Sequence, residues 1–108
     1  MNLYVVTELC NIDEENRIEP EQYKYNGIYT SLEDALMYIY HKDREYVKET
    51  YFIDDPKVEL NFVVNYDKAF DMKEIYRVNT KYSSYKDPKE PIEINRYIVI
   101  QETIDKWS

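Results

Sequence analysis

Gly27-Ile28-Tyr29-Thr30-Ser31-Leu32-Glu33-Asp34-Ala35-Leu36-Met37-Tyr38-Ile39 decides the fold. An apolar run closes at Tyr29, and a helix-start signal begins at the next residue. Thr30-x-x-Glu33 has the form of a capping box. In it the Thr hydroxyl accepts the backbone N–H of residue 33, and the Glu33 carboxylate reaches back to that of Thr30. Asp34 adds a second acid to the first turn, where the helix dipole favours negative charge. Leu32, Leu36 and Ile39 then recur at i, i+4 and i+7 beside Ala35, the buried stripe of a helix. The stretch reads as strand, tight junction, helix, with the helix expected from Ser31 to about Val47. Past Ile39 the stripe is interrupted. Asp43 falls where an apolar residue is due, Tyr46 and Val47 resume it, and Lys42, Asp43, Arg44 and Glu45 are expected to face water.

Working outward, Leu3 to Leu9 is β-branched and aromatic enough for a first strand. The adjacent Val5 and Val6 suggest burial on both faces and a central place in the sheet. Residues 10–22 are polar and acidic and contain Pro20, so they read as a long loop. Tyr23 to Tyr29 forms the second strand, and strict alternation puts Tyr23, Tyr25 and Tyr29 on one face. Gly27, the chain's single glycine, interrupts that row and marks a bulge or a close backbone approach. After an Asp54-Asp55-Pro56 turn, Val58, Leu60, Phe62 and Val64 alternate with Glu59, Asn61, Val63 and Asn65 as a half-buried strand. Lys73 to Thr80 follows as another strand. Ile92 to Thr103 reads as one long closing strand centred on Tyr97 to Ile100, whose pattern echoes Tyr4 to Glu8 and places the two side by side. The order ββαβββ makes a single α+β domain over residues 1–108. Its sheet, of about five strands, is mostly antiparallel, with one main helix on one face.

Composition narrows the classes of function. The 108 residues carry 22 acids and 14 bases, a net charge of −8, and 44% are hydrophobic, enough to build a core. The charge is uneven. Residues 8–22 hold Glu8, Asp13, Glu14, Glu15, Glu19 and Glu21 against Arg17 alone. Such a surface repels nucleic acid, which needs clustered Lys and Arg, and attracts basic surfaces. Cys10, the single cysteine, cannot form an intramolecular disulfide. No secretory signal pattern and no long apolar run occurs. A soluble, cytoplasmic chain without membrane contact is expected.

Chemistry is hard to place. One Cys and one His cannot build a structural zinc site. Asn11, Asp13 and Glu15 begin like a calcium loop, but Arg17 and Gln22 occupy later ligand positions and the sharp-turn glycine is missing. A single glycine also rules out a Gly-rich phosphate loop. A Cys10–His41 dyad is the one nucleophilic arrangement available, and it requires the two within hydrogen-bond reach. The pairs Glu33/Asp34 and Asp54/Asp55 are explained as helix-start and turn residues. No catalytic set, metal or cofactor is therefore assigned, and the chain is expected not to be an enzyme.

The thirteen tyrosines point elsewhere, because tyrosine is enriched at the buried centres of protein interfaces. Asp13, Glu14, Glu15, Glu19 and Glu21, with Tyr23, Tyr25 and Tyr29 beside them, are the expected partner-binding residues, and the expected partner is a basic protein. Two alternatives stay open. The tyrosine row can equally pack under the helix as core, with the acids serving solubility, or it can stack on the base of a nucleotide.

The opening Leu3-Tyr4-Val5-Val6 and the junction Gly27 to Ala35 resemble small phage and bacterial proteins that pair a starting strand with a hydrophobic, Ser/Thr, Ser, x, Glu, x, Ala helix start. The long acidic loop and the extra C-terminal strands depart from that pattern. The resemblance implies a phage or mobile-element setting, where small acidic chains act as inhibitors of host defence, anti-CRISPR proteins among them, or as toxin immunity proteins.

Overall fold

In a computed structural model, residues 1–9, 23–66, 72–83 and 91–104 are described. They form β1 (Asn2–Leu9), β2 (Tyr23–Tyr29), α1 (Leu32–Tyr51), β3 (Val58–Tyr66), β4 (Glu74–Tyr82), β5 (Ile92–Ile94) and β6 (Tyr97–Thr103). All pairings are antiparallel, in the order β2-β1-β6-β4-β3, with β5 also joined to β4. The architecture is α+β, with one helix and a sheet of six strands rather than five.

The additional strand arises at Asn95 and Arg96, where the expected long closing strand breaks. β5 pairs with Thr80 to Tyr82, whereas β6 pairs with Ile75 to Arg77 on one side and with β1 on the other. Two interactions hold the break. Asn79 Nδ2 donates to Asn95 Oδ1 at 2.7 Å, and the Arg96 carbonyl accepts the Leu9 N–H at 2.7 Å. As the shared pattern suggested, β1 and β6 are neighbours, with Val6 opposite Val99 and Val5 opposite Ile100.

The helix begins one residue later than the capping box implies. Ser31, in extended conformation, is the N-cap, and its Oγ accepts the Asp34 N–H at 3.1 Å. Thr30 and Ser31 thus both serve to carry the chain off the sheet, and Asp34 takes the first-turn place given to Glu33. At the far end the helix continues past Val47 to Tyr51. It closes at Phe52, whose left-handed backbone (φ 54°) directs its N–H to the Lys48 carbonyl.

Ala35, Ile39, Asp43 and Val47 form the buried stripe of α1, each at most 1% exposed. Four helical residues advance ~6 Å and two strand residues ~6.8 Å, so such a stripe can stay in step with one face of a strand. Here that strand is β4, which turns Tyr76, Val78, Thr80 and Tyr82 to the helix, all buried. Ala35 and Ile39 share a cluster with Tyr76, Val78, Val6, Tyr97 and Val99, while Val47 packs with Tyr82 and Ile94. Asp43 is therefore not on the water face with Lys42, Arg44 and Glu45. It occupies the interior place that the spacing reserves, because the stripe needs a side chain there and Thr80 opposite is polar.

Alternation along β1, β6 and β4 puts Thr7, Ile98 and Ile75 on the other face of the sheet, and these are buried as well. The central strands are thus enclosed on both sides, as the adjacent valines of β1 suggested.

Candidate functional site

Among the described residues β2 is an edge strand, and its pairing with β1 decides where its tyrosines go. Tyr29 lies opposite Tyr4, Ile28 opposite Val5 and Gly27 opposite Val6, but Thr7 then pairs with Tyr25 and leaves Asn26 over. This is a β-bulge, placed where the single glycine marked it. Gly27 supplies the backbone freedom there: its φ of 158° is one that residues with a Cβ rarely adopt.

The bulge splits the expected tyrosine row. Tyr4 and Thr7 are three residues apart, so their partners Tyr29 and Tyr25 face opposite sides of the sheet. Tyr29 turns towards the helix, half-buried against the main core, with its ring 5.8 Å from that of Tyr38. Tyr25 faces away and is 60% exposed. Tyr23 pairs with Leu9 through its backbone. Asp13, Glu14, Glu15, Glu19 and Glu21 lie outside the described residues, as does Cys10.

The two ends of the acidic segment are nevertheless fixed. Leu9 and Tyr23, which bracket it, are Cα partners, and Leu9 is also bonded to Arg96. Leu9 and Tyr23, the described residues on either side of residues 10–22, thus stand at neighbouring points of the sheet, near exposed Tyr25.

Beneath that end lies a run of polar side chains that sequence reasoning missed. Tyr38 Oη donates to Asn26 Oδ1 at 3.3 Å, and Asn26 Nδ2 donates to Glu8 Oε2 at 3.3 Å. Glu8 Oε1 accepts Arg96 Nη2 at 3.0 Å, and Arg96 Nη1 is 3.8 Å from Asp43 Oδ1. Asp43 Oδ2 in turn accepts the Thr80 hydroxyl at 2.6 Å. The Arg96 guanidinium lies 4.4 Å from the Tyr46 ring centroid and 5.4 Å from that of Tyr97, placing cation and π-face in contact. Burial pushes the Asp43 carboxyl up to about 6, against the lowering pull of Thr80 and Arg96. Burial likewise pushes the Tyr97 phenol up to about 12. The signal that could have found this network was Asp43 itself, a charge on a stripe of apolar positions.

Asp43 has the burial of a functional carboxylate, but its surroundings are those of a structural joint. It is 1% exposed, and its partners are Thr80 and Arg96. His41, on the exposed side of α1, meets the ring of Tyr40. Among the described residues, no group of three or more His, Cys, Asp or Glu could hold a metal ion, and no helix is long and apolar enough to cross a membrane.

Tyr76, Tyr82 and Tyr97 are buried, Tyr4, Tyr29 and Tyr38 pack partly against the core, and Tyr46, Tyr51 and Tyr66 are exposed like Tyr25. Tyr76 meets Tyr4 and Phe62 edge-on at 6.3 and 5.6 Å, Tyr38 meets Tyr97 at 6.4 Å, and Tyr51 stacks on Tyr82 at 6.0 Å. A groove runs between helix and sheet, lined by Leu32, Leu36, Met37, Tyr40 and Leu60, with Glu33 on its rim. The chain matches no protein-family model, no curated protein and no solved structure in the three comparisons made.

Proposed function

We propose that this chain is a cytoplasmic protein-binding module, an inhibitor or immunity-type partner of a basic, nucleic-acid-handling protein, and that it does no chemistry of its own. The observation that carries the reading is the placement of exposed Tyr25 beside the pinned ends of the most acidic segment of the chain. An acidic segment steers a basic partner during approach, and a neighbouring tyrosine supplies contact area at low entropic cost. Tyr29 no longer contributes directly. Its role is to anchor β2 to the helix so that Tyr25 is presented on a fixed strand.

The test is affinity capture from native host extract with the wild type and with Glu14→Lys/Glu15→Lys, followed by binding kinetics on the captured protein. A basic protein should be retained at low salt and released as salt rises. The double reversal should slow association about tenfold or more while changing dissociation little, and Tyr25→Ala should mainly speed dissociation. Binding indifferent to all three substitutions would remove this surface from the reading. A nucleotide panel in a thermal-shift assay separates the alternative, since ligand at 100-fold its Kd adds ~2.7 kcal/mol. The binding-module reading expects no shift.

A further inference from the structure

The edge opposite β2 has a different character. β3 is nine residues long and carries one charge, Glu59. Among the described residues its only strand partner is β4, which it meets in unbroken register. Proteins blunt such an edge with lysine, proline or a bulge, and β3 has none of these within it. Instead Phe62, Val63, Val64 and Tyr66 are 42%, 63%, 38% and 63% exposed. Phe62 is held in place edge-on to Tyr76, and the apolar groove under Leu36 and Met37 lies alongside at Leu60.

We infer that β3 pairs antiparallel with β3 of a second copy, about a two-fold axis through Phe62. Three observations select a copy of this chain over an unrelated strand. The first is register. Phe62 is the midpoint of Val58–Tyr66, so the two-fold pairs all nine residues, and every slide shortens the ladder. It sets Val58 against Tyr66, Leu60 against Val64 and Phe62 against Phe62, apolar on apolar along the helix side. A slip of one residue would set apolar residues against Glu59, Asn61 and Asn65.

The second is charge. Two copies at −8 repel, but in this register Glu59 faces Asn65. The two Glu59 side chains stand six residues out of step, about 20 Å apart and beyond the ~8 Å screening length. The third is exposure. Phe62, Val63, Val64, Tyr66 and Met37 together expose roughly 500 Å² of side chain per copy, an apolar patch in the ~300–600 Å² range of the largest patches on monomers, which are often functional. Both helices lie on the same face of the resulting continuous sheet, and the two copies of β2 lie at its far ends. This interface is separate from the partner surface proposed above.

The test uses the full chain with Cys10→Ser, to exclude adventitious disulfides, in sedimentation equilibrium from 1 to 300 µM. The parent should approach the dimer mass within that range. Phe62→Lys and Phe62→Glu should each be monomeric, because like charges then face each other across the axis. A 1:1 mixture of the two should recover the dimer. That recovery cannot come from misfolded variants, and circular dichroism of each variant checks the fold directly. A parent that stays monomeric throughout would overturn the inference and leave the edge to an extended segment of another protein. A dimer that survives either substitution alone would place the contact elsewhere, and growth beyond the dimer would mean open-ended edge pairing instead of a two-fold. Two monomeric variants that fail to combine when mixed would also overturn it.

Discussion

Asp43 Oδ2 accepts the Thr80 hydroxyl at 2.6 Å, and this bond ties the middle of α1 to the face of β4 where every other member of the stripe is apolar. Its second oxygen has no hydrogen bond among the described residues and faces Arg96 at 3.8 Å. The carboxylate is thus buried with half its capacity unused.

Stability should therefore fall as the solution becomes less acid. Burial raises the folded-state value from 3.8 to about 6, so the folded form holds the proton more tightly than the unfolded form. The resulting stabilisation is complete below the unfolded value and is lost as pH rises through about 6. The two-unit difference is worth about 3 kcal/mol at most. Asp43→Asn keeps an acceptor for Thr80 and carries no charge. Thermal melts from pH 4 to 8 should show the wild type losing several degrees across that window and the variant staying nearly flat. Arg96→Met should deepen the loss and move it to higher pH, because the guanidinium opposes the raised value.

Phe52→Gly should stabilise the chain. A non-glycine residue in the left-handed region costs ~1–2 kcal/mol. Phe52 is 92% exposed, so its ring returns little packing to offset that cost. Glycine closes the same helix end without the strain but adds freedom to the unfolded chain, leaving a net gain of ~1 kcal/mol or slightly less. Urea unfolding should show a higher midpoint at unchanged slope; a lower midpoint would mean that the phenyl ring does pack.

The bulge at Asn26 predicts opposite behaviour for two tyrosines four residues apart. Tyr25→Ala removes an exposed ring and should change stability by no more than ~0.5 kcal/mol. Tyr29→Ala removes a ring packed on the core and should cost ~2–4 kcal/mol. Equal costs in chemical denaturation would show that the row is not split.

How far the chain could be read without coordinates follows the same lines. The α+β class, the helix after Tyr29, the β1–β6 neighbourhood and the bulge beside Gly27 rest on local periodicity, capping chemistry and the chain's one glycine, and the structure bears them out. Pairing adds what periodicity lacks. The direction of Tyr29 depends on which residue of β1 it meets, and the break at Asn95 depends on Leu9 reaching Arg96 from the other end of the chain. Asp43 was misplaced because a carboxylate normally seeks water. Only the facing Thr80 and the nearby Arg96 make its burial tolerable, and they are far away in sequence. Of the eight residues expected to bind a partner, Tyr25 alone is described with its side chain exposed. The acids of residues 10–22 enter the candidate site through their composition and their fixed ends.

The spare residue at Asn26 also governs how the chain can change over time. Because it reverses the parity of β2, positions before it and positions after it answer to different constraints: Tyr25 to the solvent, Tyr29 to the interior. Loss or gain of one residue between Tyr23 and Tyr29 would invert inside and outside for one half of the strand while leaving the other untouched. Homologues that look nearly identical across this stretch, but differ by a single gap, would present different surfaces to whatever they meet.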